Sequence, residues 1–163
     1  MKIGIYPGSF DPITDGHIDI IHRSLQVVDK LYVCVSLNTQ KNTLFSLDER
    51  IDMIEKVLDL ERLNVEVCVN NTLTVKQAKR LKATHIIRGL RVLTDFEYEF
   101  QMTHANRVLD PEIDTLFLMT DNRYSFLSSS TVKEIARFQG DLEPFLPPYV
   151  VTKLREKFPL KSA

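Results

Sequence analysis

Six side chains spread along the sequence have the chemistry to grip phosphate: Ser9, His17, Lys41, Arg88, Arg91 and Ser129. In Arg88-Gly89-Leu90-Arg91 two guanidinium forks flank a glycine, and each fork matches a pair of phosphate oxygens. Lys41 adds a point cation. Ser9 offers a hydroxyl. The run Ser128-Ser129-Ser130-Thr131 offers several, at a place where a helix begins and backbone N–H groups are left over. His17, in Thr14-Asp15-Gly16-His17, stands at another helix start, where the dipole disfavours imidazolium and leaves a neutral N–H donor. Each also has a plainer reading: His17 and the serines as helix caps, the arginines and Lys41 as solvated cations, Glu99 as a partner for a neighbouring residue. No residue pairs with a base as a covalent nucleophile, and Gly-x-Ser-x-Gly is absent. The chemistry indicated is direct transfer between two bound substrates, a nucleotide and a second phosphorylated molecule.

Positioning these groups requires a scaffold that gathers separated loops. Apolar β-rich runs at 3–6, 31–37, 65–69, 85–88 and 115–119 lack clean alternation, as expected of strands buried on both faces. Helical patterns lie between them. One opens on Gly16-His17 with Ile18, Ile21, Leu25 and Val28 on one face. Ser46-Leu47-Asp48-Glu49 is a capping box ahead of Ile51, Ile54, Val57 and Leu58. Thr74 and Thr94 open two more, the second running toward Val108 before Asp110-Pro111 stops it. Ser128–Thr131 precedes Val132, Ile135 and Ala136, and Pro147-Pro148 precedes a terminal helix with Val151, Leu154 and Phe158. Strict alternation predicts an α/β fold: a doubly wound, five-stranded, Rossmann-like parallel sheet with helices on both faces and a C-terminal helix. In the common order, strand one lies beside strand four, and ligands bind beyond the carboxyl ends of those strands. That brings the turn at Pro7-Gly8-Ser9-Phe10 to the turn at Arg88-Gly89-Leu90-Arg91, with Lys41 and Ser129 on the same edge.

The chain has 163 residues and a formal charge of −1, which suits one domain over 1–163 and gives no extended nucleic-acid footprint. A run long enough for a membrane helix is absent, and strand-like sequence begins at Lys2, so no leader is expected. Cys34 and Cys68 sit in apolar strand-like runs and read as reduced, buried thiols of a cytosolic protein. His22, His85 and His104 have no metal-ligand spacing. Neither a P-loop nor a Gly-x-Gly-x-x-Gly fingerprint is present.

The sequence closely resembles the bacterial phosphopantetheine adenylyltransferases, within the nucleotidyltransferase superfamily that shares a His-x-Gly-His-type motif. The resemblance spans essentially the whole chain. It rests on Tyr6-Pro7-Gly8-Ser9-Phe10-Asp11-Pro12 with Thr14-Asp15-Gly16-His17, on Arg88-Gly89-Leu90-Arg91, on Asp95-Phe96-Glu97-Tyr98-Glu99, and on Ser128-Ser129-Ser130-Thr131 with Lys133. It implies transfer of AMP from ATP to 4′-phosphopantetheine, giving dephospho-coenzyme A and pyrophosphate. It also implies Mg²⁺ as cofactor, a cytoplasmic homohexamer, and product-like inhibition by coenzyme A. By motif, His17 matches the residue that stabilises the transition state. Ser9, Phe10, His17, Gly89, Leu90, Arg91, Glu99, Tyr124, Ser125, Phe126, Leu127, Ser128, Ser129 and Ser130 match ATP-binding positions. Ser9, Lys41, Thr74 and Arg88 match acceptor-binding positions. No protein metal ligand is implied, since Mg²⁺ would ride on the ATP phosphates. The sequence departs from the pattern at Thr14, where the superfamily often has His, and at Ser9, Tyr124 and Lys133, where Thr, Trp and Arg are common. The acceptor phosphate, already largely dianionic near neutral pH with a second pKa of about 6, would attack the α-phosphorus in line without a general base. Alternatives are a pyridine mononucleotide adenylyltransferase or cytidylyltransferase of the same superfamily, a non-catalytic nucleotide sensor, and a flavodoxin-like carrier.

Overall fold

The structure is a computed structural model describing residues 1–37, 42–58 and 62–159, with side chains at all of these except 93–95. Five strands, β1 (Ile3–Gly8), β2 (Lys30–Ser36), β3 (Val65–Asn70), β4 (His85–Leu90) and β5 (Asp114–Met119), alternate with α1 (Asp15–Ser24), α2 (Leu47–Val57), α3 (Thr74–Arg80) and α4 (Leu93–Leu109). A short 3₁₀ turn (Asn122–Tyr124), α5 (Ser129–Arg137) and α6 (Pro148–Lys157) complete the described chain. All strand pairs are parallel and the order is β3-β2-β1-β4-β5, so the expected Rossmann-like sheet forms with its switch point between β1 and β4.

Period-two side-chain alternation divides the strand residues between two cores. Tyr6, Leu31, Val33, Val35 and Ile87 pack with residues of α1, α2, α5 and α6. Ile5, Cys34 and Ile86 face the other way, onto Val75 and Ala78 of α3. The capping box at Ser46 is present: its Oγ accepts the Glu49 N–H at 3.2 Å, and Glu49 Oε2 accepts the Ser46 N–H at 2.7 Å. Val132 and Ala136 of α5 and Leu154 of α6 are fully buried, as their spacing predicts.

Several boundaries differ from expectation for tertiary reasons. β4 runs on to Leu90, with Arg88 and Gly89 in register with Phe117 and Leu118 of β5, so the expected arginine turn is partly a strand. β1 likewise runs through Pro7 to Gly8 because β2 pairs with it along that whole length. Its pairing with β4 stops at Ile5–Ile86. Pro7 has no N–H to offer β4, and its carbonyl instead accepts Arg88 Nη1 at 3.0 Å. The two central strands therefore part just where the crevice opens. α3 begins one residue earlier, and α4 two residues earlier, than a capping Thr74 or Thr94 would place them: their N-caps are Leu73 and Val92, neither with a side-chain cap. α1 begins at Asp15 behind Thr14 rather than at Gly16. Lys41 lies outside the described residues.

Candidate active site

Beyond the ends of β1 and β4 lies a cleft of about 680 Å³. Its floor is the chain between β1 and α1. Phe10, at φ 45°, occupies the left-handed region that non-glycine residues disfavour. Its ring is fully buried and meets Tyr6 and His17 edge-on, at centroid distances of 5.4 and 5.1 Å. The ring lies over Gly8, where a Cβ would come within 2.8 Å of it. Gly8 thus makes room for Phe10 and itself borders the cleft.

Charged groups from α2 and α5 pin this segment. Arg50, a buried residue of α2, donates from Nη1 to the carbonyls of Ser9 at 2.7 Å and Ser36 at 3.2 Å, tying the ends of β1 and β2 together. Asp11, also buried, accepts the Phe45 N–H on Oδ1 at 2.9 Å. Its Oδ2 accepts the Leu44 N–H at 3.0 Å and Lys133 Nζ at 2.8 Å. Neither Arg50 nor Asp11 carries a sequence signal for this role, because the backbone groups they bind, and for Asp11 also the Lys133 ammonium, lie far off in the chain. Lys133 belongs to the serine-rich motif, and its position five residues into α5 is what aims it at the cleft.

His17 is held by its own helix start. Its Nδ1 accepts the Thr14 backbone N–H at 3.1 Å and lies 3.0 Å from Thr14 Oγ1. An Nδ1 that accepts puts the proton of a neutral ring on Nε2. Burial, with the Arg91 charge as a smaller cause, lowers the His17 pKa to about 4. The ring is therefore neutral at physiological pH and a donor through Nε2, for a stronger reason than the helix dipole alone. Burial likewise keeps the Tyr6 phenol protonated.

Arg88 reaches the cleft from within β4. Its Nε donates to Glu99 Oε2 at 2.7 Å and its Nη2 donates to Glu99 Oε1, a bidentate pair across to α4. Glu99 is thus turned toward Arg88. Arg91 Nη1 donates to the Leu127 carbonyl at 3.1 Å, linking the end of β4 to the start of α5. Ser128 is the N-cap of α5, its Oγ accepting the Thr131 N–H at 3.0 Å. Ser129 Oγ donates to the Pro12 carbonyl at 2.8 Å. The serine run is therefore both a cap and a brace for the opening turn, and its hydroxyls have these duties while the first N–H groups of α5 border the cleft.

Of the residues expected from sequence, Ser9, Phe10, His17, Arg88, Gly89, Arg91, Glu99, Leu127, Ser128, Ser129 and Ser130 border this one cleft. Thr74 does not. It borders a smaller hollow of about 140 Å³ between α3 and α4, which shares Pro7, Arg88, Tyr98 and Glu99 with the main cleft. Leu90 is buried. Tyr124, Ser125 and Phe126 are not among the cleft-lining residues; Phe126 is exposed and stacks edge-on with Phe145. Among the described lining residues three cations, Arg88, Arg91 and Lys133, face two carboxylates, Asp11 and Glu99, so this lining carries net positive charge suited to a polyanion. Among the described residues no group of three or more His, Cys, Asp or Glu side chains could hold a metal ion.

Residues 5–135 match the family model described as cytidylyltransferase-like. The chain is 52% identical over 158 residues to the phosphopantetheine adenylyltransferase of Caldanaerobacter subterraneus subsp. tengcongensis, covering 97% of this chain and 98% of that protein. It is 50% identical over 162 residues to the phosphopantetheine adenylyltransferase of Desulforudis audaxviator, covering 99% of each. Among solved structures, a putative nicotinate-nucleotide adenylyltransferase from Vibrio parahaemolyticus superposes with a TM-score of 0.69 at 16% identity, over 96% of this chain and 93% of that one. The nicotinic acid mononucleotide adenylyltransferase of Plasmodium falciparum, complexed with NaAD, gives 0.66 at 16% identity, over 98% and 99%. At such identities the structural likeness speaks for the fold, and the sequence likeness speaks for the branch. By that likeness, and with a parallel sheet that opens at its switch point onto a basic cleft, the chain belongs to the phosphopantetheine adenylyltransferases of the cytidylyltransferase-like nucleotidyltransferases.

Proposed function

We propose that the chain transfers AMP from ATP to 4′-phosphopantetheine, yielding dephospho-coenzyme A and pyrophosphate, and that residues 1–163 act as one nucleotidyltransferase domain. The observation that carries this reading is the position of Arg88, which borders both cavities. The large cleft, with His17, Arg91 and the start of α5, suits a nucleotide triphosphate. The hollow beside it mixes Thr74, Thr103 and Asn106 with Ile86 and Met102, which suits an uncharged amide-bearing arm. An acceptor with its arm in the hollow has its phosphate at Arg88, facing the nucleotide.

Catalysis on this reading is positioning and charge stabilisation. The acceptor phosphate attacks the α-phosphorus in line. Arg88, oriented by Glu99, holds the attacking group, with Ser9 and Lys41 as further acceptor contacts. His17 Nε2–H donates to the α-phosphate oxygens as charge builds. Arg91, Lys133 and the N–H groups of Ser128–Ser130 receive the leaving pyrophosphate, and Phe10, Gly89, Leu90 and the segment 124–127 frame the rest of the nucleotide. Asp11 and Glu99, the carboxylates bordering the cleft, are each engaged by a cation. Mg²⁺, when bound, would be held by the ATP phosphates rather than by these two side chains, and would supply charge neutralisation there.

Exposed apolar residues along α4, including Phe96, Tyr98, Phe100 and Met102, support assembly into the family's hexamer. No helix among the described residues is long and apolar enough to cross a membrane, and the reaction's substrates suit the cytoplasm. Coenzyme A, which carries the acceptor's arm, would compete for the hollow. The reading is tested by giving the protein ATP with a panel of acceptors: 4′-phosphopantetheine, nicotinate mononucleotide and, with CTP, a phosphorylated alcohol. Turnover with the first alone is expected; preference for either of the others would replace the acceptor assignment.

A further inference from the structure

We propose that Cys34 and Cys68 form a reversible dithiol–disulfide site whose oxidant is hydrogen peroxide. The two residues stand directly opposite each other on the parallel strands β2 and β3. Neighbouring strands lie about 4.8 Å apart, within the Cα separation that a disulfide spans. Both cysteines are free, and their Sγ atoms are 2.9 Å apart. Reading them from sequence as two reduced, buried thiols does not reveal the pairing, since nothing in the chain marks the residues as strand partners. The thiols also differ in access: Cys34 is fully buried, whereas Cys68 lies on an edge strand and is partly exposed.

The surroundings favour attack by Cys68. Gln77 of α3, fully buried, directs Nε2 at Cys68 Sγ at 3.6 Å and at the Val69 carbonyl at 3.2 Å. The hydrogen bond with the Cys34 thiol, and to a smaller extent this amide and the Arg80 charge, lower the Cys68 pKa despite partial burial and Glu66. Cys34 is pushed the opposite way, by its hydrogen bond to Cys68 and by burial, so it keeps its proton. The Oε1 of Gln77 is buried without a partner, leaving an acceptor for the O–H of a sulfenic acid on Cys68. In the first step the Cys68 thiolate attacks the peroxide O–O bond, forming Cys68 sulfenic acid. The leaving hydroxide takes up a proton to become water. Cys34 then attacks the sulfenyl sulfur, the S–S bond forms, and the expelled hydroxide leaves with the Cys34 proton as a second water. Two thiols lose two electrons to one peroxide.

The test uses the folded protein at neutral pH, treated with hydrogen peroxide, quenched with acid, alkylated after unfolding and mapped by mass spectrometry. The expected product is a Cys34–Cys68 cross-linked peptide pair within one chain, lost on adding dithiothreitol. In Cys34→Ser, dimedone is expected to trap a sulfenic acid on Cys68 that wild type does not accumulate. Recovery of both cysteines as alkylated thiols would overturn the proposal. So would Cys68 sulfinic acid beside an unmodified Cys34, or disulfides only between chains; the wild-type map decides this even if the variant fails to fold.

Discussion

Replacing Asp11 with alanine is expected to cost stability well beyond the loss of one surface charge. Its carboxylate gathers three donors from two places: the Leu44 and Phe45 N–H groups ahead of α2, and the Lys133 ammonium of α5. The side chain is 6% exposed and that of Lys133 24%, so the lysine keeps some solvent when its partner goes. Leaving a buried N–H unpaired costs about 1–3 kcal/mol, and breaking a buried ion pair by removing one partner costs up to about 3–5 kcal/mol. With the lysine discounted for its solvent contact, Asp11→Ala is expected to lose about 3–5 kcal/mol. Asp11→Asn retains one acceptor oxygen and should lose about 2 kcal/mol. Lys133→Met leaves the buried carboxylate on its two backbone N–H groups alone and should lose about 2 kcal/mol. Urea unfolding of the three variants at one pH measures the series. An Asp11→Ala loss below about 1 kcal/mol, or a Lys133→Met loss equal to it, would refute the carboxylate as the tie between the segment after β1, the chain before α2 and α5.

Three further outcomes follow from the same contacts. His17→Ala should lower kcat by about 10²–10³-fold while ATP binding changes little, as expected of one transition-state donor; raised KM with normal kcat would remove that role. The His17 pKa, about 4 folded against 6.5 unperturbed, means that the unfolded chain binds the extra proton first on acidification. Stability from this group is therefore level above about pH 6.5 and falls toward pH 4, by at most about 3 kcal/mol, and His17→Gln should flatten that slope in urea titrations. Gly8→Ala forces a Cβ against the Phe10 ring and should cost about 1–3 kcal/mol in the same assay; an unchanged midpoint would mean that Phe10 is not held in place as described.

Much of the scaffold can be read from the sequence because it rests on local rules. Apolar runs without alternation gave buried parallel strands, and strict strand–helix alternation gave the switch point between β1 and β4. Ser46-x-x-Glu49 and Ser128 act as the caps that their chemistry suggests. What the sequence concealed depends on groups meeting across the fold. The extension of β4 through Arg88 and Gly89 comes from pairing with β5. Glu99 binds Arg88 because α4 crosses that strand's end. Arg50 works on backbone groups, and Asp11 on backbone groups and the distant Lys133, which no residue pattern announces. Gly8 leaves room for an aromatic ring two residues on, a contact that the motif does not announce. Cys34 and Cys68 became a pair only once β2 and β3 were in register.

The central claim is direct transfer of AMP to the acceptor phosphate, with no adenylyl group parked on the protein. Incubating the protein with α-labelled ATP and 4′-phosphopantetheine, then following label and pyrophosphate together, tests it most directly. The account predicts labelled dephospho-coenzyme A and pyrophosphate in equal amounts. Without acceptor it predicts neither label on the protein nor exchange of pyrophosphate into ATP. Pyrophosphate exchange or a labelled protein in the absence of acceptor, or no transfer in its presence, would contradict it.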